Sequence, residues 1–328
     1  MKEVVCTVLV AAYNAERYIG ECLDSLVAQT QPGMEMIVID DASEDGTADI
    51  VRSYVVRHSN ISLITLSANS GQAHARNVGL RQAHGRYIGF LDADDRLSED
   101  AIAEAVSVME RHDQTDCVLL DVVMLYSENV WKRLECLQFE VMDGYEAFVN
   151  SLTWKIHGVY IARAELYHHY PYDETARAYS DDNTTRLHYY ISREVRMCRG
   201  VYYYRQHAES VTHKVDERHF DYLKANESMR RHLEALGVSE EVLSIYENVR
   251  WLVVVDCYWF YFRHRREMSR DARRYALAEM RRVWSGIEAR RLYRRNHYKL
   301  GYMPLRPFWL LFRLQEEVYF GMKKALNR

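Results

Sequence analysis

Proline and glycine are scarce, at 4 and 14 in 328 residues. That excludes collagen-like and Pro/Gly-rich low-complexity chains and predicts few loops and much helix. The six cysteines show no C-x-x-C spacing, so neither a zinc ribbon nor a disulfide scaffold is expected. Reduced, mostly buried thiols in a cytosolic protein are the simplest reading. Long apolar runs are missing too. "VVCTVLVAAYN" near the N-terminus is too short for a membrane span and lacks the basic start of a signal peptide. "WLVVVDCYWFYF" (251–262) holds Asp256 and is about half a span. No Gly-rich basic phosphate loop follows the first apolar run, where "AAYNAERY" stands, which counts against a sugar nucleotidyltransferase.

Charge balance is missing from each part of the chain. Residues 1–218 carry 21 Lys+Arg and 34 Asp+Glu, whereas 219–328 carry 22 and 13. A net of -13 followed by +9 predicts an acidic catalytic or metal-binding part and a basic surface facing an anionic partner. The periodicity alternates. Apolar strands are expected at 4–11, 34–41, 61–66 and 85–91, with helices at 15–29, from the "SEDGT" segment to His58, and at 71–84. Such alternation implies an α/β, Rossmann-like, mostly parallel sheet flanked by helices, with ligands beyond the carboxyl ends of the strands. A helix (98–112) and a strand (117–125) follow, and 199–207 reads as another strand. From about 219 the pattern is helical and Arg-rich, so the expected division is 1–217 and a C-terminal helical extension, 218–328.

"FLDADD" (90–95) sets three carboxylates at one strand end. An Asp helix cap needs one, and Ser98 is better placed to cap the following helix. Crowded carboxylates repel unless a cation neutralises them, and D-x-D at a strand end suits Mg²⁺ or Mn²⁺ with positions left for phosphate oxygens. "IVIDD" is a second acidic strand end, at Asp40-Asp41.

Three blocks in order resemble the family 2 glycosyltransferases, inverting enzymes of GT-A fold, over roughly 5–215. "VLVAAYNAERYIGECLDSLVAQT" is similar to the opening strand, Tyr-Asn loop and helix; "IVIDDASEDGT" to "VDDGSxDGT"; "NSGQAHARNVGLRQAHGRYIGFLDADD" to "NxGxxxARNxGxxxAxGxYxxFLDxDD". Two departures are Ala12 for the usual Pro and Ala42 for the usual Gly. The resemblance implies that Tyr13 stacks on the uracil of a UDP-sugar and that Asp41 accepts a hydrogen bond from it. Asn69, Arg76, Asn77 and Asp92 would contact nucleotide or sugar, with Ala11 and Ala93 in the same donor-binding stretches. Asp94 and Asp95 would hold the divalent cation. In "YSDDNTTRLHYYI" (179–191) the resemblance makes Asp182 the base that deprotonates the acceptor, with Asp181 as backup; a helix N-cap is the structural alternative. "VYYYRQHAESVTH" (201–213) is similar to a frequent ending, "YYYRxHxxSxT", which brings in Arg205, His207 and Ser210 at the diphosphate or metal, His207 as a third ligand. Trp154 and His157 stand where a sugar pocket would be, although core packing suits Trp154 better.

The implied function is metal-dependent inverting transfer from a nucleotide sugar, UDP by family habit, to a saccharide or polyprenyl-linked acceptor in bacterial surface-polysaccharide synthesis such as capsule or lipopolysaccharide. A degenerate scaffold relative is the non-enzyme alternative, and the full set of carboxylates speaks against it. Residues 263–299 carry 13 basic and 4 acidic residues, yet no nucleic-acid motif accompanies them. A solvated face, peripheral contact with an anionic membrane, or a homodimer contact are the uses open to the tail. For "PLRPFWLLFRLQEEVYFGMKKALNR" (304–328) the apolar edge is expected at Phe308–Phe312. The expected location is the cytoplasm, at the inner face of the membrane if the tail binds it.

Overall fold

In a computed structural model of the chain, residues 3–127, 129–177, 179–207 and 215–326 are described. Ser210 lies outside them. The chain divides into two compact units: Met1–Arg177 with Asp181–Ala208, and Ala178–Ser180 with Glu209–Arg328.

The first unit opens with β1 (Cys6–Ala12), α1 (Ile19–Val27), β2 (Met34–Asp40), α2 (Thr47–Arg57), β3 (Ile61–Thr65), α3 (Gln72–Leu80) and β4 (Tyr87–Phe90). There follow β5 (Arg96–Leu97), α4 (Ala101–Arg111), β6 (Thr115–Ser127), β7 (Val130–Arg133), β8 (Val141–Asp143), α5 (Gly144–Ser151), β9 (Tyr160–Arg163), α6 (Ala164–His169), α7 (Asp181–Ile191) and β10 (Glu194–Arg205). The sheet order is β3-β2-β1-β4-β9-β6-β10-β5, with β7 on β6 and β8 on β10. β1 and β2 each bury six of seven residues, as strands covered on both faces must, and this explains their near-continuous apolar sequences. β1 to β4 are mutually parallel and β6 runs parallel to β10, but β9 sits antiparallel between β4 and β6. The four-residue "YIAR" of β9 is too short to show a period, which is why sequence reading did not place it.

One local expectation is corrected. Ser98 does not cap α4: the N-cap is Asp100, with no side-chain cap bond. Instead Ser98 Oγ donates to Asp100 Oδ1 (2.7 Å) and accepts from the Val201 amide (3.0 Å), tying the turn after "FLDADD" to β10. All six cysteines are free.

The second unit holds α8 (Asp221–Leu236), α9 (Glu240–His264), α10 (Arg270–Gly286) and α11 (Trp309–Leu326). Ser239 and Ser269 cap α9 and α10 through their hydroxyls, and Gly237 ends α8 at φ +62°, where a side chain would be strained. α9 is apolar around much of its circumference because α8, α10 and α11 all pack on it; Trp251 and Tyr258 are fully buried there. Its apolar run is thus a bundle core, and no helix among the described residues is long and apolar enough to cross a membrane. In α11, Phe312 is fully buried against Trp251, Tyr258 and Trp284, so it is not part of the exposed edge expected at 308–312.

Candidate functional site

Parallel pairing of β1 with β2 sets Ala12 beside Asp40, so both strands release their loops at one sheet edge. Ala11, still in β1, is half-buried, and Tyr13 beyond it is 44% exposed. The two loops are laced together. The Asn14 amide donates to Ser43 Oγ (2.9 Å), Glu44 donates back to Asn14 Oδ1 (2.8 Å), and Ala15 donates to Thr47 Oγ1 (2.8 Å). Asn14 and Ala42 pay in backbone strain, at φ +48° and +60°. That left-handed position explains why the family block has Gly where this chain has Ala42.

Asp41 is buried, and its two oxygens accept the amides of Ser70 and Gly71 (both 2.8 Å). It therefore shapes the 67–71 loop, and each oxygen retains a second lone pair for a ligand. Asn69 Nδ2 reaches the Asp41 carbonyl at 3.4 Å. Asn77, expected to touch the donor, is spent elsewhere: it donates to the Tyr172 carbonyl (2.8 Å) and Glu174 (2.6 Å) and accepts from the Tyr172 amide (2.9 Å). It clamps the 171–175 segment onto α3.

β4 pairs with β1 up to Leu9 and Phe90, so residues 91–95 emerge at the same edge. Ala93 is buried, while Asp92 and Asp94 keep 26% and 32% of their side chains exposed. Asp92 Oδ1 accepts from Gln72 Nε2 (2.7 Å) and Arg76 (2.5 Å). Asp94 Oδ2 lies 2.7 Å from His207 Nε2. Asp95 behaves differently from its neighbours. It is buried, accepts from the Tyr202 hydroxyl (2.7 Å) and the Arg205 amide (2.7 Å), and so pins β10 to the turn. Arg205 likewise serves the scaffold: its guanidinium bonds the Asp94 carbonyl (2.9 Å) and Glu21 (2.5 Å) and lies over the Tyr18 ring.

Arg76 is 1% exposed, under the Phe90 ring at 4.2 Å, and links two carboxylate groups far apart in sequence. It bonds Asp92, and its other terminal nitrogen is 3.7 Å from Asp181 Oδ2. Burial opposes its charge, but Asp92 and then Asp181 hold it firmly protonated. Asp181 and Asp182 begin α7, where the helix dipole favours anions. Asp182 Oδ2 accepts from the Trp154 indole (3.2 Å) and lies 3.8 Å from Arg186, which stacks over that indole at 4.9 Å. Trp154 is therefore not a core residue: it is 45% exposed, at φ +53°. His157 accepts from the Val159 amide, and burial lowers its pKa to about 4.

Burial raises three carboxylates. Asp92 is pushed up by burial and by Asp94 and Asp181, against the pull of Arg76. Asp95 goes well above the usual range through burial, Asp92 and Asp94. Asp182 is raised by burial and then Asp181, with Arg186 and the indole opposing. The crowding matches what a cation would relieve. Asp94 and His207 supply an oxygen and a nitrogen donor side by side, which suits a divalent ion. Asp95 is held away from them by the Tyr202 hydroxyl and the Arg205 amide, and among the described residues no group of three His, Cys, Asp or Glu side chains forms an ion cage. Sequence reading missed Gln72 and Tyr202, whose partners lie 20 and 107 residues away.

This mostly parallel sheet, with β9 antiparallel inside it, helices on its faces and carboxylates beyond its strand ends, matches GT-A glycosyltransferase structures such as TarS. The comparisons carry this further. Residues 7–168, just under half of the chain, match the model of glycosyl transferase family 2 and form a domain of that family. TuaG of Bacillus subtilis, a putative teichuronic acid biosynthesis glycosyltransferase, is 41% identical over 103 residues, covering 31% of this chain and 41% of TuaG. The chain thus spans less than half of that relative's length. The uncharacterized glycosyltransferase EpsJ of Bacillus subtilis is 28% identical over 260 residues, 73% of this chain and 74% of EpsJ. The fold matches S. aureus TarS 1-349 in complex with UDP-GlcNAc at a TM-score of 0.73 and 19% identity, covering 97% of this chain and 92% of that one.

Proposed function

We propose that this chain transfers a sugar from a UDP-sugar to a saccharide, or lipid-linked saccharide, during synthesis of a bacterial cell-wall or surface polymer, with inversion at the anomeric carbon. The observation that carries the reading is Arg76. One buried guanidinium joins the carboxylates after β4 to those starting α7, so a donor site and a base belong to a single centre. Family membership and TarS with UDP-GlcNAc support the donor class; TuaG and poly(ribitol-phosphate) beta-N-acetylglucosaminyltransferase TarS support a polymer acceptor.

Tyr13, exposed at the end of β1, offers its ring face to the base, and Asp41 a spare lone pair to the base edge. Asp92, oriented by Gln72 and Arg76, faces the ribose or sugar. Asp94 and His207 would hold a divalent cation, which when bound neutralises charge on the departing diphosphate. Asp182 takes the proton of the acceptor hydroxyl as its oxygen attacks the anomeric carbon and the bond to the diphosphate breaks on the opposite face. The indole on Oδ2 fixes the carboxylate and leaves Oδ1 for that proton. The raised pKa makes Asp182 a stronger base than an ordinary carboxylate. Arg205, Asn77 and Asp95 hold these groups in place without touching substrate.

The test is a thermal-shift ranking of nucleotide sugars with Mn²⁺, followed by UDP release with a saccharide acceptor. A UDP-sugar should give the largest shift and turnover should follow. A shift without any turnover would favour a binding protein, and no shift with any nucleotide sugar would overturn the reading.

A further inference from the structure

The second unit carries a surface that sugar transfer does not use. A helix of a folded domain normally buries one apolar stripe and turns charge to water. α11 has two apolar faces. Phe312 and Phe320 close the bundle core, yet Leu310, Leu311, Leu314, Val318 and Met322 form a second stripe, each between 45% and 75% exposed. At about 100° per residue they fall within an arc of about 120°, so they share one side of the helix. Scattered exposed leucines need no explanation, but a continuous stripe does.

The charge around the stripe selects its partner. Residues 289–328 hold ten Lys+Arg and two Asp+Glu. Neither acid offers negative charge to a partner: Glu316 is fully buried, and Glu317 pairs with Arg265 at 2.5 Å. Lys323 and Lys324 are exposed at one end of the stripe, Lys323 lying 5.0 Å from the Trp259 ring. Exposed aliphatic residues beside lysines and a ring are what an interfacial helix uses on an anionic leaflet. A second copy of the chain would bring a like basic surface against this one, which disfavours self-pairing.

We propose that α11 is an interfacial helix that docks the chain on an anionic bilayer surface, with Leu310, Leu311, Leu314, Val318 and Met322 entering the headgroup boundary and Lys323 and Lys324 binding lipid phosphates. This goes beyond the transferase reading and does not depend on it, because the readout is lipid binding without donor or acceptor.

The full chain is sedimented with vesicles of phosphatidylglycerol and phosphatidylcholine, and with phosphatidylcholine alone. Binding is expected only to the anionic vesicles. Lys323→Gln/Lys324→Gln should weaken it by roughly tenfold or more, since each basic residue contributes about a factor of five. Leu314→Ser/Val318→Ser should weaken it at least as much. All four positions are exposed, so thermal melts should stay within a few degrees of wild type. Equal binding by wild type and both variants would overturn the proposal. So would absence of binding by the wild type. A concentration-dependent dimer in light scattering, lost in Leu314→Ser/Val318→Ser without any vesicle binding, would reassign the stripe to self-association.

Discussion

Carboxylates are used in opposite ways in the two units. In the helical unit they are matched by arginine: Glu247 and Glu227 both bond the fully buried Arg250, Glu279 pairs with Arg282 at 2.8 Å, and Glu240 with Arg291 at 3.0 Å. Arg290 and Arg291 hold Glu288 below the usual range despite some burial. In the sheet unit, the strand-end acids outnumber the arginines that reach them, and Asp92, Asp95 and Asp182 are all raised. Matched charge there makes a stable bundle. Unmatched charge makes a site whose stabilisation is left to a ligand. Glu316 and Asp256 are the helical unit's exceptions: burial raises both, Glu316 to about 8.

The widest separation is expected from Asp182→Asn, which should lower kcat by about 10²- to 10⁴-fold while the thermal shift with donor persists. Normal turnover by that variant would remove Asp182 from the mechanism. Arg250→Met addresses the other side. It leaves Glu247 and Glu227 without their cation and should cost about 3–5 kcal/mol in urea unfolding. A loss below about 1 kcal/mol would mean that this matching is incidental.

Glu316 tests one exception through pH. Its folded pKa is raised, so the folded state binds the proton more tightly than the unfolded chain does. Stability is then greatest below the unfolded value of about 4.3 and falls as pH rises toward the folded value of about 8. Glu316→Gln should flatten that fall in urea midpoints measured across the range, and an unchanged slope would assign the effect elsewhere. Smaller again is the acid limb of the kcat/KM profile. As the proposed base Asp182 acts deprotonated, so activity should rise through its raised pKa. Asp181→Asn removes a like charge and should move the limb to lower pH; Trp154→Phe removes the indole donor and should move it higher, each by about one pH unit or less. Movement in the same direction would contradict this electrostatic account. The smallest effect is Ala42→Gly, expected to relieve left-handed strain and raise stability by about 0.5–1 kcal/mol or less, after the entropic cost of glycine.

Legibility followed range of interaction. The first four strands were readable because each is an apolar run between helical periods, and Asp40-Asp41 and Asp92–Asp95 were readable as strand ends. β9 was not, because its four residues pair antiparallel with β4 and β6 from a stretch that shows no period. Asp94 and Asp95 looked alike in sequence, but these two consecutive residues of the turn face different ways. One lies beside His207, the other under Tyr202. Trp154 reads as core by composition, and only the indole bond to Asp182 shows otherwise.

By itself, then, the sequence determined the α/β alternation, the acidic strand ends, the family blocks and the split in charge, since these are properties of neighbours along the chain. Tertiary structure alone decided which acids stand open and which are clamped. It set Arg76 between Asp92 and Asp181, and Asp95 on β10. It also left α11 with an apolar face the bundle does not cover. Those outcomes rest on contacts between residues tens to more than a hundred positions apart, where burial and hydrogen-bond partners are set by packing and not by local pattern.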